Sequence, residues 1–284
     1  MLDIFSQAGI HATWATVGFL FCRDTNDLRQ QLPATLPNYT VASLSPYRYL
    51  DEAEILDPLY HFAPKLIDSI SQVPGQEVGT HTFSHFYCLE AGQSKEAFRD
   101  DLTAAARVAA RQGLTLHSLV FPRNQWNPDY LSLLNTLGIR CFRGNEPSWV
   151  YQASDSEGQH PVLRAVRILD SYLNLTGHHT YPLKACTANA PFNFPASRFL
   201  RPYSPRIAWL DGLRLRRIKR AMDDAATHQR IYHLWWHPHN FGRNIDQNIA
   251  FLRRIAEHFV SLRQRYGMQS LNMGELAQLG TVND

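Results

Sequence analysis

The stretch that decides the fold is EVGTHTFSHFYC, residues 77–88. A short apolar run and a glycine precede two histidines, His81 and His85, which are four residues apart. Histidines at this spacing face the same way if the segment turns helically, and imidazole is a common zinc ligand. A chain of 284 residues with 13 histidines also produces such pairs by chance, and His233 and His237 form a second one. The spacing alone therefore leaves packed, hydrogen-bonded histidines as an open alternative.

Composition limits the classes of function. The net charge of +3 is too small to indicate a nucleic-acid partner, and 44% hydrophobic residues are enough for a core. The basic run LRLRRIKR, residues 213–220, has Leu and Ile at helical spacing, which favours a helix with one solvated face. We expect no nucleic-acid binding.

Cysteine usage and the beginning of the sequence predict the compartment. The 4 cysteines are widely spread and form no CxxC pair, which is typical of reduced, buried thiols. The first residues lack the basic and long apolar regions of a signal peptide. The most apolar run, WATVGFLFC, is shorter than the roughly 20 residues of a membrane span. The sequence therefore predicts a cytoplasmic protein without a membrane span.

Strand and helix patterns alternate along the chain. We expect strands at 10–18, 77–79, 116–122, 138–144, 231–236 and 268–273, and helices at 1–9, 58–70, 94–113, 128–137, 210–228, 244–266 and from 274 onward. Residues 23–50 look like an excursion with at most a short helix, and 145–205 like loops with one short helix near 164–172. This alternation predicts one α/β domain, residues 1–284, with parallel strands and ligands at their carboxyl ends.

Several stretches together resemble the polysaccharide deacetylase (NodB-homology, carbohydrate esterase family 4-like) family. EVGTHTFSH resembles the motif in which a strand ends in Gly and is followed by His-Ser/Thr-x-x-His. GIHATWATVG resembles the early strand, VFPRNQWN the third motif and HLWWHPHNFG the fifth, in the family's order over roughly residues 1–240. The resemblance implies a distorted (β/α)7 barrel of the NodB-homology type. It also implies that His81 and His85 bind a divalent metal, usually zinc.

Amide hydrolysis and the resemblance suggest further roles. A metal ion acidifies water and polarises the acyl oxygen, and a histidine can protonate the departing amine. We choose His237 as this general acid, with His239 as second choice. In the family an arginine orients the catalytic carboxylate, which Arg123 could do, although Arg123-Asn124-Gln125 lacks the family's downstream Pro-Tyr. The alternative for Arg123 is a surface salt bridge.

Aromatic residues near these motifs are candidates for sugar contact. Trp126 and Asn124 share the loop of Arg123, and either Trp235 or Trp236 must face inward, because side chains alternate along a strand. We select Trp126, Asn124 and Trp236 as substrate-binding residues, with core packing as the ordinary alternative for tryptophan. For Asp170 we favour a surface carboxylate at a helix end over the supporting acidic motif of the family.

The family's first motif, a strand ending in Asp-Asp that supplies the third metal ligand and the general base, has no counterpart. Asp3, the pair 100–101 and the pair 223–224 all fall in predicted helices. The first strand of the barrel is likewise expected to be missing. We therefore expect a divalent-metal cofactor, with zinc as the usual ion, whose third protein ligand is not in this sequence. Either a strand lies upstream of Met1 or the chain is an inactive homologue.

Four functions remain open at this point. The leading one is metal-dependent removal of an N-acetyl group from a sugar of a polysaccharide or its precursor. The same chemistry on a small non-sugar amide is the second. The third is a carbohydrate-binding domain without activity, and the fourth is a zinc site made by His81, His85 and His237 alone.

Overall fold

Parallel strands form the centre of the fold. The structure is a computed structural model that describes residues 1–154 and 161–282. A five-stranded parallel sheet has the order β1-β2-β3-β4-β5, and a two-stranded parallel sheet is formed by β6 and β7. The strands are β1 (Ala12–Thr16), β2 (Gln76–Thr80), β3 (Ser118–Val120), β4 (Cys141–Arg143), β5 (Phe192–Asn193), β6 (Arg198–Phe199) and β7 (Leu234–Trp235).

Helices connect the strands and cover the sheets. They are α1 (Leu2–Ala8), α2 (Thr25–Gln30), α3 (Pro46–Glu52), α4 (Pro58–His61), α5 (Pro64–Ser71), α6 (Lys95–Ala110), α7 (Leu131–Thr136), α8 (Pro161–Asp170), α9 (Leu183–Cys186), α10 (Asp211–His228), α11 (Ile245–Tyr266) and α12 (Met273–Val282). Short 3₁₀ turns lie between them, including Pro122–Asn124 after β3 and Pro238–Gly242 after β7. Within the described part of the chain, no helix has both the length and the apolar content needed to cross a membrane.

The parallel α/β fold is confirmed, but the described strands do not close into a barrel. Backbone ladders join β1 through β5 and, separately, β6 to β7. The chain passes from β5 to β6 within a few residues, yet β5 pairs with β4 and β6 pairs with β7. The (β/α)7 expectation is therefore confirmed only as far as a parallel α/β architecture.

Several predicted elements differ from the structure. The excursion 23–50 contains α2 and the beginning of α3, which is more helix than expected. The helix expected at 58–70 is divided into α4 and α5, because Pro64 starts a new helix at its N1 position. In 145–205, α9, β5 and β6 were missed, while α8 matches the expected short helix; residues 155–160 lie outside the described chain.

The last predicted strand, 268–273, is also wrong. Its polar side chains bind the chain around the start of β1 instead of forming a ladder. Ser270 Oγ accepts a hydrogen bond from His11 N at 3.0 Å, and Asn272 Nδ2 donates to Gly75 O at 3.3 Å. Asn244 stands at the start of α11 as predicted, but its side chain makes no capping hydrogen bond.

The amino ends of the strands are joined through Glu77 of β2. Its carboxylate accepts hydrogen bonds from Thr13 Oγ1 of β1 at 2.6 Å and from Ser118 Oγ of β3 at 2.5 Å. It also accepts a third bond from Gly274 N, in the first turn of α12, at 3.0 Å. One side chain thus fixes two neighbouring strands and the last helix.

Aromatic packing joins the outer strands of the two sheets. Phe5 of α1 is buried, with its ring centroid 6.1 Å from that of Trp14 in β1 and 6.0 Å from that of Trp236, which follows β7. These residues belong to one apolar cluster with α10 and α11. In this cluster the two sheets are connected through side chains.

The candidate residues lie at the opposite, carboxyl ends of the strands. His81 directly follows β2, Arg123 follows β3 and His237 follows β7, and Arg143 is the last residue of β4. In the register of the sheet, Val120 of β3 is aligned with Arg143. These candidate residues thus lie at the edge where the sequence predicts ligands, because parallel strands bring their carboxyl ends together.

Candidate active site

His81 and His85 form a pair of imidazoles that face a common cavity. Their ring centroids are 4.8 Å apart, and both rings line a cavity of about 550 Å³. His81 Nδ1 lies 2.7 Å from Val120 O. A carbonyl oxygen only accepts, so Nδ1 carries the proton and the lone pair is on Nε2. His85 Nδ1 lies 3.1 Å from Tyr87 Oη, a hydroxyl that can donate or accept, so this contact orients the ring without fixing which nitrogen carries the proton.

The turn between the two histidines is not helical. Thr82 and His85 have left-handed backbones, with φ of 65° and 61°. Asp101 of α6 holds this turn: its carboxylate accepts a hydrogen bond from Phe83 N at 2.7 Å and one from the hydroxyl of Ser84. The Asp101 side chain is fully buried, and this burial raises its pKa to about 6. Asp101 is thus no catalytic group but the residue that positions the histidine turn.

Both imidazoles are neutral at pH 7. Burial, and then the neighbouring His85, lower the pKa of His81 to about 3. Burial, and then the charge of Arg123, lower the pKa of His85 to about 4. Neutral imidazole is the form that binds a metal ion, because protonation would occupy the lone pair.

The pair fits two positions of a metal site. A ring nitrogen anchored to a backbone carbonyl, with the other nitrogen free, is the usual arrangement of a histidine ligand. Among residues 1–154 and 161–282, however, no three His, Cys, Asp or Glu side chains are close enough to hold one ion. In the described chain, His81, His85 and His237 are thus not arranged as a three-ligand site, and the zinc site made by these three histidines stays a prediction.

His237 lies in the same cavity as the pair. Its ring is stacked on His239 at 5.1 Å and meets Trp235 edge-on at 5.5 Å between centroids. Burial, His239 and Arg143 together lower the pKa of His237. His239, the second choice for the general acid, is exposed and does not line this cavity.

The loop after β3 brings Arg123 and Asn124 to the cavity. Both residues have left-handed backbones, with φ of 53° and 56°. The Arg123 guanidinium lies 4.2 Å above the Tyr87 ring and 3.6 Å from the Glu90 carboxylate. Asn124 Oδ1 accepts a hydrogen bond from Arg143 Nη2 at 2.6 Å. The structure thus brings both predicted residues to the cavity, and the carboxylate beside Arg123 is Glu90.

The structure does not bring two of the predicted tryptophans to the site. Trp236 packs in the core between Phe5 and Phe241, and Trp235 faces the cavity in its place, with the Arg143 guanidinium 4.0 Å above its ring. The choice of Trp236 over Trp235 was wrong because β7 is only two residues long, too short for side-chain alternation to show which tryptophan faces the site. Trp126 packs on Phe142 at 5.8 Å and lines neither cavity described here.

A smaller cavity adjoins the first and contains residues that sequence reasoning missed. It measures about 190 Å³ and shares Arg123, Asn124, Arg167 and Trp235 with the larger one. Near it, Asp170 is fully buried, contrary to the predicted surface position, and pairs with Arg198 at 2.5 Å. Burial opposes the ionisation of Asp170, but Arg198 holds its pKa at about 2.

The comparison with known proteins identifies the fold. No protein-family model matches the chain, and no curated protein matches it in sequence. Its structure is similar to that of a protein assigned as a polysaccharide deacetylase from Mycobacterium smegmatis, with a TM-score of 0.56 and 15% identity. The alignment covers 99% of this chain and 76% of the other. The chain has a polysaccharide deacetylase fold.

Two further solved structures are more distant. A CE4 family pseudoenzyme from Bacillus anthracis has a TM-score of 0.44 and 13% identity, over 97% of this chain and 58% of that one. A family 4 acetyl xylan esterase from Clostridium thermocellum, solved with a cobalt ion, has a TM-score of 0.32 and 12% identity, over 85% and 82%. At such identities the similarity concerns the fold, so the function must be argued from the residues of this chain.

Proposed function

We propose that this chain is a metal-dependent hydrolase that removes an N-acetyl group from a sugar of a polysaccharide or its precursor. The observation that carries the proposal is the His81–His85 pair: two neutral imidazoles, each with one nitrogen anchored, at the carboxyl edge of a parallel sheet. The fold, shared with a protein assigned as a polysaccharide deacetylase, supports it.

The cavity residues have distinct chemical tasks in this proposal. His81 and His85 would hold a divalent ion, with zinc as the expected metal. In such sites the ion polarises the acyl oxygen and lowers the pKa of water. His237, neutral at pH 7 and in the same cavity, can take the proton that water releases and pass it to the departing amine. Trp235 and Asn124 line the space where the sugar would lie.

One observation favours a second candidate, a carbohydrate-binding domain without activity. The described residues that line the larger cavity include three histidines and three arginines but no carboxylate. The carboxylates that would supply a general base and a third metal ligand are thus not among them. This candidate predicts sugar binding without acetate release.

The proposal also includes the place of the reaction. A cytoplasmic location, which stays a prediction, favours a nucleotide- or lipid-linked sugar over an exported polymer. Acetate release from UDP-N-acetylglucosamine and from chitin oligomers, compared side by side, separates these substrates. Release from the oligomers alone would contradict the precursor hypothesis.

Acetate release by the zinc- or cobalt-loaded protein tests the proposed function. We expect the His81→Ala and His85→Ala variants to lose both metal binding and acetate release. His237→Asn should keep the metal and lose turnover by about 100-fold or more, the typical contribution of an acid–base group. Acetate release that survives both the replacement of the two histidines and the addition of a chelator would refute the proposal. Sugar binding without any acetate release would support the second candidate. Release from simple amides but not from sugars would point to the small-amide alternative.

A further inference from the structure

Arginine side chains dominate the wall of the two joined cavities. Five of them line this space: Arg123, Arg143, Arg167, Arg198 and Arg201. They come from four different parts of the chain, after β3, in β4, in α8, and in and just after β6. The fold therefore assembles a concentration of positive charge directly beside the histidine pair.

Only some of this charge is neutralised. Arg123 lies 3.6 Å from Glu90, and Arg198 lies 2.5 Å from Asp170. The other three arginines form no ion pair among the described residues. Glu146 is the one further described carboxylate that lines the smaller cavity, and burial raises its pKa. Even with Glu146 ionised, the described wall keeps an excess of positive charge.

Arg143 is the most informative of the three. It is 8% exposed, its guanidinium lies 4.0 Å above the Trp235 ring, and Nη2 donates to Asn124. Its Nε has no hydrogen-bond partner among the described residues. Burial of a cation with an unused donor is unfavourable unless a bound group compensates for the lost hydration.

Arg167 and Arg201 are each held in place through the Nε atom. Arg167 Nε donates to Val150 O at 2.7 Å, and Arg201 Nε donates to Ser171 Oγ at 2.8 Å. None of the described hydrogen bonds uses the Nη atoms of either residue. Anchored guanidinium groups with free Nη atoms are suited to bind the oxygens of a carboxylate or phosphate in a bidentate manner.

We propose that Arg143, Arg167 and Arg201 bind an oxyanion of the substrate. The acylated sugar of the proposed function would then carry a phosphate, sulfate or carboxylate group. The inference rests on the proposed function for the sugar, but the oxyanion site follows from the arginines. The acyl group would lie at the histidine pair. The anionic group would lie where the two cavities join, since Arg143 lines the larger cavity, Arg201 lines the smaller one, and Arg167 and Trp235 line both.

Calorimetric titration of matched sugars tests this site. The probes are N-acetylglucosamine, its 1-phosphate, N-acetylmuramic acid, which carries a carboxylate, and inorganic phosphate. We expect at least one anionic sugar to bind about tenfold or more tightly than the neutral sugar, since charge-assisted bonds are strong. Added salt should reduce this advantage. Titrations of both zinc-loaded and metal-free protein separate binding to arginine from binding to zinc.

Variants identify the residues. The double variant Arg167→Gln/Arg201→Gln should reduce the advantage of the anionic sugar over the neutral one to less than about threefold. Arg254→Gln, at an exposed position of α11, is the matched control and should keep the full advantage. Melting temperatures close to that of the unmodified protein would show that the variants are folded.

The outcomes separate the two proposals. Equal binding of neutral and anionic sugars, no binding of any anionic probe, or an advantage that the double variant keeps would each overturn the oxyanion site. Acetate release from a neutral sugar without such preference would leave the proposed function standing alone. An anionic preference without acetate release would support the oxyanion site and count against catalysis.

Discussion

The two ends of the five-stranded sheet treat their polar side chains differently. At the amino end, Glu77 accepts three hydrogen bonds from two strands and a helix. At the carboxyl end, Arg143 is buried, yet its Nε has no partner among the described residues, and the described hydrogen bonds of His81 use only one of its ring nitrogens. A saturated polar group stabilises the fold, whereas a buried group with an unused donor or lone pair is available to a ligand.

The largest expected effect concerns the histidine pair. Replacing His81 or His85 with Ala should lower zinc affinity by about 100-fold or more, because each removes one of two available imidazoles. Competition with a chromophoric chelator measures this. His239→Ala, outside the cavity, is the control and should change the affinity by less than about twofold. Equal losses in all three variants would erase the distinction between the two ends.

A substitution at the amino end of the sheet should lower the stability of the protein and leave zinc binding unchanged. Glu77→Ala removes an acceptor shared by Thr13, Ser118 and Gly274, and we expect the free energy of unfolding to fall by about 3 kcal/mol. Zinc affinity of the folded variant should stay within about twofold. Urea denaturation and the zinc competition assay give the two numbers. A large loss of zinc affinity would mean that the two ends are coupled.

Asp101 lies between these cases, because it is saturated but supports the site. Asp101→Ala should lower the free energy of unfolding by about 2 kcal/mol and zinc affinity by about tenfold, since the turn between His81 and His85 loses its anchor. Asp101→Asn should restore part of both. Asp100→Ala is the matched control on the same helix, whose side chain pairs with Arg99. Unchanged zinc affinity in Asp101→Ala would show that the turn holds itself.

The smallest effect is a pH dependence of the metal-free protein. Burial lowers the pKa of His233 to about 4, and its Nδ1 lies 3.0 Å from Phe194 O. The pKa of His233 in the folded state is below the unfolded value of about 6.5, so the neutral ring contributes to the free energy of unfolding. This contribution is present above pH 6.5 and is lost as the pH falls toward 4. His81, His85 and His179 act in the same direction.

Asp101 contributes to the pH dependence of stability in the opposite direction. Its raised pKa of about 6 gives stability that is lost as the pH rises through 6. The buried carboxyl of Glu146, whose pKa is also raised, acts in the same direction as Asp101. Four histidines outweigh these two carboxyls, so the melting temperature should fall by several degrees from pH 6.5 to 4. The His233→Asn variant, which keeps a donor near Phe194 O, should show a weaker fall. A melting temperature that rises over this range would contradict the assignment of buried neutral histidines.

The sequence predicted the candidate site best where its residues lie close together in the chain. The nine residues EVGTHTFSH contain both histidines, and the strand before them gives their place at the sheet edge. Asp101 was missed although α6 carries a signal: Phe98, Asp101, Leu102 and Ala105 share its buried face, where a carboxylate needs a partner. A polar residue on an apolar helix face is thus worth examining in a sequence.

Other features could not be predicted for physical reasons. The strands β5 and β6 have two residues each, too few to show any period. The arginines of the cavity are distributed between residues 123 and 201, and only the tertiary fold brings them together. The net charge of +3 does not reveal the combined positive charge of these arginines, because acidic residues elsewhere in the chain offset it.

The contact of Phe5 with Trp14 and Trp236 affects how the junction of the two sheets responds to cooling. Within this cluster, rings rather than a hydrogen-bonded ladder join the two sheets. Apolar association weakens on cooling. The junction between β1 and β7 should therefore loosen in the cold before the ladders do, and with it the position of His237 relative to the histidine pair.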